Sequence, residues 1–169
     1  DIETPTKAQA EDDETVGYTD QTYQILRVSF GWRRVGGLAE GVSVPFAMPY
    51  VPLVQRLLAS PGTKGVWNGN YDNPRLKAAD CPIAGKILDG MWQFHVLESD
   101  QEKALHHAAP MILPGVARWK HEAGAHPGHY SALDGAIEWL AIEELQRLLK
   151  ARHLDRVYET QVRQLDQGA

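Results

Sequence analysis

Hydrophobic and polar positions in the first third of the chain follow patterns typical of β-strands. Residues 23–32 (YQILRVSFGW) are rich in β-forming side chains, and residues 38–46 are predicted to be their hairpin partner across a Gly-Gly pair. Residues 1–4 (DIET) place two acids around one apolar residue, which on a strand puts both carboxylates on the same face. Residues 5–21 are polar and acidic and begin with a proline, so a mobile loop is predicted there.

Apolar residues at helical spacing dominate the remainder of the chain. In residues 129–150 apolar positions recur at helical spacing, which predicts an amphipathic helix packed on a core, with Pro127 at its first position. These positions are Leu133, Ile137, Leu140, Leu145, Leu148 and Leu149. The other predicted elements up to residue 81 are a helix over 51–58, a strand over 64–67 and a helix that follows Asn73-Pro74 and stops near residue 81. Beyond it are predicted a strand or turn at 87–88 followed by a helix to 97, a helix over 102–109, a loop over 110–128 and a helical stripe over 154–165. This order predicts an α/β or α+β layer fold with a mixed sheet.

Length and composition indicate one ordinary globular domain. The chain has 169 residues, of which 43% are hydrophobic and 23% are charged. It has no apolar run of the roughly 18 residues that a membrane span needs, and no basic and apolar leader at its start. A cytoplasmic location without membrane contact is therefore expected. The single cysteine, Cys81, rules out an internal disulfide and a cysteine-based metal cluster.

The net charge of −5 argues against a nucleic-acid partner, since phosphate binding normally rests on a basic surface. The acids are concentrated at the start, because residues 1–20 hold seven acids and one lysine, a local charge of −6, and the remainder sums to +1. Clustered carboxylates are also a signature of cation binding. A divalent cation can bridge such a cluster to a phosphate that the acids would otherwise repel.

Acidic residues occur at three places, on the first predicted strand, at a strand-to-helix junction and at the start of the long helix. Asp1 and Glu3 share one face of the first strand, and Asp72 ends the segment NGNYD (68–72), where a strand gives way to a helix. The segment YSALD (130–134) opens the long helix with Tyr130 and Asp134 on one face. A carboxylate beside a buried stripe is costly unless it is paired, although a first-turn acid favoured by the helix dipole also explains Asp134 taken alone.

These three segments together resemble the motifs of DnaQ-like 3′→5′ exonucleases, in the branch marked by four acids and a tyrosine. The tyrosine of the third motif and the spacing between motifs are similar to the proofreading domains of family A DNA polymerases and to their phage and standalone relatives. The resemblance covers residues 1–152 and implies a ribonuclease H-like α/β fold, in which a mixed central sheet of an antiparallel meander plus parallel strands is flanked by helices. Residues 153–169 are then a C-terminal helix that resembles the join to a polymerase domain.

The resemblance implies a site that combines four metal-binding carboxylates with one tyrosine hydroxyl, from Asp1, Glu3, Asp72, Asp134 and Tyr130. Two Mg²⁺ or Mn²⁺ ions, about 3.5–4 Å apart, would stabilise charge on the attacking and leaving oxygens of a phosphodiester. By the same resemblance, the tyrosine hydroxyl orients the attacking water, and Thr4 and Asn68 contact the terminal nucleotide. The implied substrate is the 3′ end of single-stranded DNA, cleaved in replication proofreading or repair.

Two other functions share this fold. An exoribonuclease that trims RNA 3′ ends uses the same motifs, and a non-catalytic, nucleic-acid-positioning domain is the alternative from a different class. Such degenerate domains lose the motif acids, all of which are present here. In the family the first acid follows a hydrophobic stretch of the same strand, so we expect further residues upstream of Asp1.

Other side chains suggest different sites. His121, His126 and His129 invite a zinc hypothesis, but their spacing fits neither a finger nor a helical pair, so solvated loop histidines are expected. Trp92, His95 and Trp119 are aromatic candidates for base stacking, but core positions are the simpler expectation. Asp89 either assists the acidic site or caps a helix.

Overall fold

The computed structural model of the chain describes residues 1–5 and 24–162 and has a mixed α/β architecture. Most of the predicted loop at 5–21, the first residue of the predicted strand at 23–32 and the end of the predicted stripe at 154–165 lie outside the described residues. The strands are β1 (Ile2–Glu3), β2 (Arg27–Arg33), β3 (Ala39–Pro45), β4 (Lys64–Val66) and β5 (Ile87–Asp89). The helices are α1 (Val51–Leu58), α2 (Gly69–Ala78), α3 (Gly90–Leu97), α4 (Leu105–Ile112), α5 (Glu122–Ala125), α6 (Pro127–Ala151) and α7 (Asp155–Val157), followed by a π-helical turn at Tyr158–Val162.

The described strands form two sheets. Strands β1, β2 and β3 are antiparallel in that order, with Ile2 opposite Val28, and β4 and β5 are parallel, with Gly65 opposite Leu88. The predicted α/β class, the hairpin and the presence of parallel strands are confirmed. The single mixed sheet is not: within the described residues no strand ladder joins the two sheets, because β1 is only two residues long and a cavity lies between β2 and β4.

Helix α6 packs across β2 and β3 at very short distance. A Cβ atom added to Gly31 would lie 1.8 Å from the carbonyl oxygen of Gly135, and one added to Gly41 would lie 1.9 Å from that of Ala132. Any side chain at these strand positions would push the helix away from the sheet, so the close approach requires glycine. Helix and sheet are thus held in one relative position by backbone contact.

This close packing changes which face of α6 is buried. Leu133, Ile137 and Leu140 of the predicted stripe are only half-buried. Beside the sheet, the helix instead buries small and acidic residues, and large aliphatic residues are fully covered only in its second half. The buried residues of α6 are Ser131, Asp134, Gly135, Ala136, Glu138, Ala141, Ile142, Leu145 and Leu149.

Most other helix predictions are confirmed in type and shifted at their ends. Helix α1 has its predicted bounds, whereas α2 begins at Gly69, before the predicted start after Asn73-Pro74, and contains Pro74. The early start follows from the Asp89 carboxylate, which accepts the backbone N–H groups of Asn68 and Gly69. Helix α4 runs past the predicted end at residue 109, and α5 is a helical turn within the predicted loop.

Two groups of buried apolar residues hold the described elements together. One lies beneath β1 and β2 and includes Ile2, Val28, Val54 and Leu76, and the other joins α3, α4 and α6 through Phe94, Ala108 and Leu145. After residue 152, the buried Tyr158 accepts a hydrogen bond from the backbone N–H of Asp89 at 3.2 Å, so the last described turn packs against β5. No helix of the described residues is long and apolar enough to cross a membrane.

Candidate metal centre

The first and third predicted motifs meet in the structure. The carboxylates of Asp1, Glu3 and Asp134 each present an oxygen atom within 4.8 Å of the other two. Asp134 is 8% exposed, and Asp1 and Glu3 are half-buried. Three carboxylate oxygens at this separation suit a hard divalent cation such as Mg²⁺ or Mn²⁺, so the donor set fits the ion that the motifs imply.

Local structure in β1 explains why two of these acids point the same way. Ile2 is buried in the core opposite Val28, so strand alternation places Asp1 and Glu3 together on the other face. The backbone N–H of Ser29 donates to the Asp1 carbonyl oxygen at 2.9 Å, and the Asp1 α-amino group donates to the Ser29 carbonyl oxygen at 3.3 Å. The ladder with β2 therefore holds Asp1 in register.

Asp134 is held by two hydrogen-bond donors. The indole N–H of Trp119 donates to Asp134 Oδ1 at 2.5 Å, and the Tyr130 hydroxyl, one helical turn before it, is a second side-chain partner. Burial raises the pKa of Asp134, and these two hydrogen bonds oppose that shift. Burial and the Asp134 charge raise the pKa of Tyr130, so its hydroxyl stays protonated and can donate.

The pKa of Glu3 is shifted by burial and by a neighbouring carboxylate. Burial and the Asp134 carboxylate raise the pKa of Glu3 to about 7, against the opposing charges of the Asp1 α-amino group and Arg27. A carboxyl group with a raised pKa is one whose charged form lacks a sufficient partner. A bound cation would supply that partner.

The Asp72 carboxylate is next to this group but not within it. Asp72 lies in the first turns of α2 and is 4% exposed, and its carboxylate is outside the set that converges within 4.8 Å. Burial raises the pKa of Asp72 to about 6, opposed by the α-amino group of Asp1 and by Arg75. Glu3 also contributes to this shift, which indicates electrostatic contact between the second motif and the first.

The two predicted nucleotide contacts have different surroundings. Thr4 Oγ1 and the Tyr71 hydroxyl share a hydrogen bond of 2.8 Å at the exposed rim of the site. The Arg75 guanidinium lies 3.5 Å from the centre of the Tyr71 ring and holds that ring in place. Asn68 has left-handed backbone angles (φ 67°) and serves as the turn into α2.

Two residues around the site, Trp119 and Glu138, acquire roles that the sequence analysis missed, and a third, Asp89, takes one of its two expected roles. Trp119 is buried as expected, but its contact with Asp134 has no sequence signal because it comes from a loop. Glu138, which is 4% exposed, follows Asp134 at the same four-residue spacing that relates Tyr130 to Asp134, and that spacing could have identified it. Asp89 is fully buried and accepts the Met91 backbone N–H, so it caps α3 and the capping alternative is confirmed.

The remaining aromatic and histidine candidates lie outside the carboxylate group. Trp92 and His95 are half-buried and contact each other edge to face, with ring centres 5.7 Å apart. His121, His126 and His129 are exposed and are not part of the group of ligand atoms that converges among the described residues.

Comparison with known proteins identifies no relative from which a function could be inferred. No family model matches the chain, and no curated protein or solved structure matches it significantly. The arrangement itself is a partly buried group of three carboxylates suited to a divalent cation, and the exposed Thr4–Tyr71 hydrogen bond joins residues that follow Glu3 and precede Asp72 in sequence.

Proposed function

We propose that the chain is a metal-dependent 3′→5′ exonuclease of the DnaQ-like class, with a ribonuclease H-like fold, that acts on single-stranded DNA. The observation that carries the proposal is the convergence within 4.8 Å of carboxylates that lie far apart in the sequence, those of Asp1, Glu3 and Asp134. Asp72 and Tyr130, the other two members of the motifs, are electrostatic neighbours of this group.

Each side chain has a role that its surroundings support. Asp1, Glu3 and Asp134 would hold the cation, and Asp72 would extend the negative site on its buried side. When bound, Mg²⁺ or Mn²⁺ supplies Lewis-acid stabilisation of charge on the attacking and leaving oxygens of a phosphodiester. The Tyr130 hydroxyl, protonated and hydrogen-bonded to Asp134, is available to orient a water molecule beside the scissile phosphate.

Features of the site rim and the charge distribution favour a chain terminus as the substrate. A 3′ end needs contacts to only one or two nucleotides, which is compatible with a net charge of −5. The Thr4 and Tyr71 hydroxyls, 2.8 Å apart at the exposed rim, are suited to the sugar and terminal base. A downstream polymerase domain would make such an activity a proofreading function.

The test uses 5′-labelled single-stranded DNA and RNA of the same sequence, incubated with the full chain and Mn²⁺. We expect DNA to shorten one nucleotide at a time from its 3′ end. Asp134→Asn should lower the rate by more than about 100-fold, since even the outer partners of metal ligands are worth about 10–100-fold. Tyr130→Phe should slow cleavage and leave Mn²⁺ affinity unchanged.

The matched control is Glu143→Gln on the same helix. Glu143 is paired with Arg33 at 3.2 Å on the outer surface, so its loss should not change the rate. DNA that stays intact with Mn²⁺ or Mg²⁺ would contradict the proposal, and so would equal rates for the wild type and Asp134→Asn. Degradation of RNA alone would reassign the substrate to RNA 3′ ends.

A further inference from the structure

The side chain of Gln93 is fully buried and lacks hydrogen-bond partners. Gln93 lies in α3 and is 0% exposed. Neither its Oε1 atom nor its Nε2 atom has a partner among the described residues. A buried amide without partners destabilises the folded state, so it requires an explanation such as a bound molecule that pairs with it.

Gln93 contributes to the wall of a cavity that is separate from the metal centre. The cavity has a volume of about 160 Å³ and is lined by residues of α3, of the second half of α6 and of the turn that follows it. None of the described residues that line it also lines the cavity beside Asp1 and Asp72. A ligand in this cavity would therefore bind independently of the proposed exonuclease reaction.

The interior of this cavity combines an amide with apolar surface, and its charged groups are at the rim. Leu149 and Tyr158 line it together with Gln93 and are 2% and 3% exposed. The charged lining residues are exposed and their formal charges cancel; they are Lys86, Lys150, Asp155 and Glu159. Lys86 and Glu159 are already paired with each other at 3.4 Å. A buried interior without charge favours a neutral ligand.

Hydrogen-bonding capacity and size together define the class of ligand. A carboxamide with both its oxygen and its nitrogen unpaired is complementary to a group that presents a donor and an acceptor side by side. Glutamine pairs in this bidentate way with the edge of a nucleobase. A cavity of about 150 Å³ holds a benzene ring, so the volume of about 160 Å³ suits one six-membered ring. Pyrimidine bases are neutral, have one such ring and carry a donor beside an acceptor.

We propose that this cavity binds a neutral pyrimidine base. The Gln93 carboxamide pairs with the neighbouring donor and acceptor of the ring, and the side chains of Leu149 and Tyr158 pack on it. Gln146, which is half-buried, offers a second amide on the same wall. The base is either free or part of a nucleoside, since both present the same edge to Gln93.

The test measures binding of uracil and of uridine to the full chain by calorimetry, in a chelator so that no divalent cation is present. We expect one molecule to bind per chain, and the tighter of the two identifies whether the site takes a free base or a nucleoside. Uracil methylated on both ring nitrogens lacks the N–H donors and should bind at least tenfold more weakly than uracil, and adenine, with two rings, should also bind more weakly.

The matched variants are Gln93→Leu and Gln101→Leu. Gln93→Leu removes both hydrogen-bonding atoms at similar size and should weaken binding at least tenfold. Gln101 is exposed, so its replacement should leave the affinity at the wild-type value. In NMR spectra of the wild type, the side-chain amide signals of Gln93 should shift when uracil is added, which provides the same test should Gln93→Leu not fold.

A wild type that binds neither uracil nor uridine, up to the solubility of each, would overturn the inference and assign the cavity to water. Equal affinity for uracil and its methylated form would overturn it as well, because Gln93 would then not pair with the ring. Tighter binding of adenine, wild-type affinity in Gln93→Leu or unshifted Gln93 amide signals would each contradict it. All these measurements are made without DNA, so their outcome is separate from that of the cleavage assay.

Discussion

Replacing Glu138 by glutamine should change how the stability of the metal-free protein depends on pH. Burial, opposed by the Asp1 α-amino charge and reinforced by Asp72, raises the pKa of Glu138 to about 7 from an ordinary value of 4.5. The folded protein therefore binds this proton more tightly than the unfolded chain does. Between pH 4.5 and 7 the wild type loses stability as pH rises, because ionisation is easier in the unfolded chain.

The size of the effect follows from the width of that window. A pKa difference of about two and a half units corresponds to about 3 kcal/mol, all of it felt above pH 7. Glutamine has the same shape and no charge, so the variant avoids this cost. For a chain of this length, 1 kcal/mol shifts the melting temperature by about 2–4 °C, so the variant should gain about 6–12 °C relative to wild type between pH 4.5 and pH 8.

The assay is thermal unfolding of both proteins in a chelator, followed by circular dichroism at the two pH values. Comparing the two pH values removes any constant cost of burying the glutamine amide. Glu143→Gln, on the exposed side of the same helix, should show the wild-type pH dependence. If the melting temperatures of the wild type and Glu138→Gln changed equally with pH, the reasoning would be refuted, because ionisation of Glu138 would then not destabilise the folded protein.

Three further substitutions test the contacts that hold the site. Trp119→Phe removes the N–H that donates to Asp134 Oδ1 and should cost about 2 kcal/mol, as a hydrogen bond to a buried charge is worth about 1.5–3 kcal/mol. Gly31→Ala places a Cβ 1.8 Å from a carbonyl oxygen of α6 and should cost about 3 kcal/mol or more, whereas Gly62→Ala, with no atom within 4 Å, should be neutral. Asp89→Ala removes a helix cap and should cost about 2 kcal/mol.

Urea unfolding at pH 7 measures all three effects. A Trp119→Phe protein that retains wild-type stability would mean that the indole does not hold Asp134. Equal stability of Gly31→Ala and Gly62→Ala would contradict the close approach of α6 to β2. An unchanged unfolding midpoint for Asp89→Ala would show that the backbone N–H groups of α2 and α3 have found other acceptors.

Elements with local signals could be predicted from the sequence. The proline-flanked helix Val51–Leu58 and the strand Lys64–Val66 lie where the apolar period and the flanking turn residues place them. The start of α2 could not be predicted, because the Asp89 carboxylate that organises its first turn is 20 residues away from Gly69 in sequence. Helix ends that depend on a distant acceptor carry no local signal.

The residue types of the candidate site were also visible in the sequence. Asp1 and Glu3 share a face by strand alternation, and Tyr130 and Asp134 share one by helical spacing, so each pair is a local matter. The same spacing extends to Glu138. Nothing local indicates that this face of α6, rather than the one with Leu133 and Ile137, would be buried against the sheet.

The sequence by itself therefore determined the α/β class, most elements and the residue types of the three acidic segments, since periodicity and turn residues act between near neighbours. The tertiary structure decided that Asp134 faces Asp1 and Glu3 and that Trp119 holds it. It also placed Glu138, whose Oε2 atom has no hydrogen-bond partner among the described residues, on a cavity lined by Asp1 and Asp72. The physical reason is the close backbone approach of Gly31 to Gly135, which lets α6 pack directly against β2. At that distance small and acidic residues of the helix are the ones buried beside the sheet.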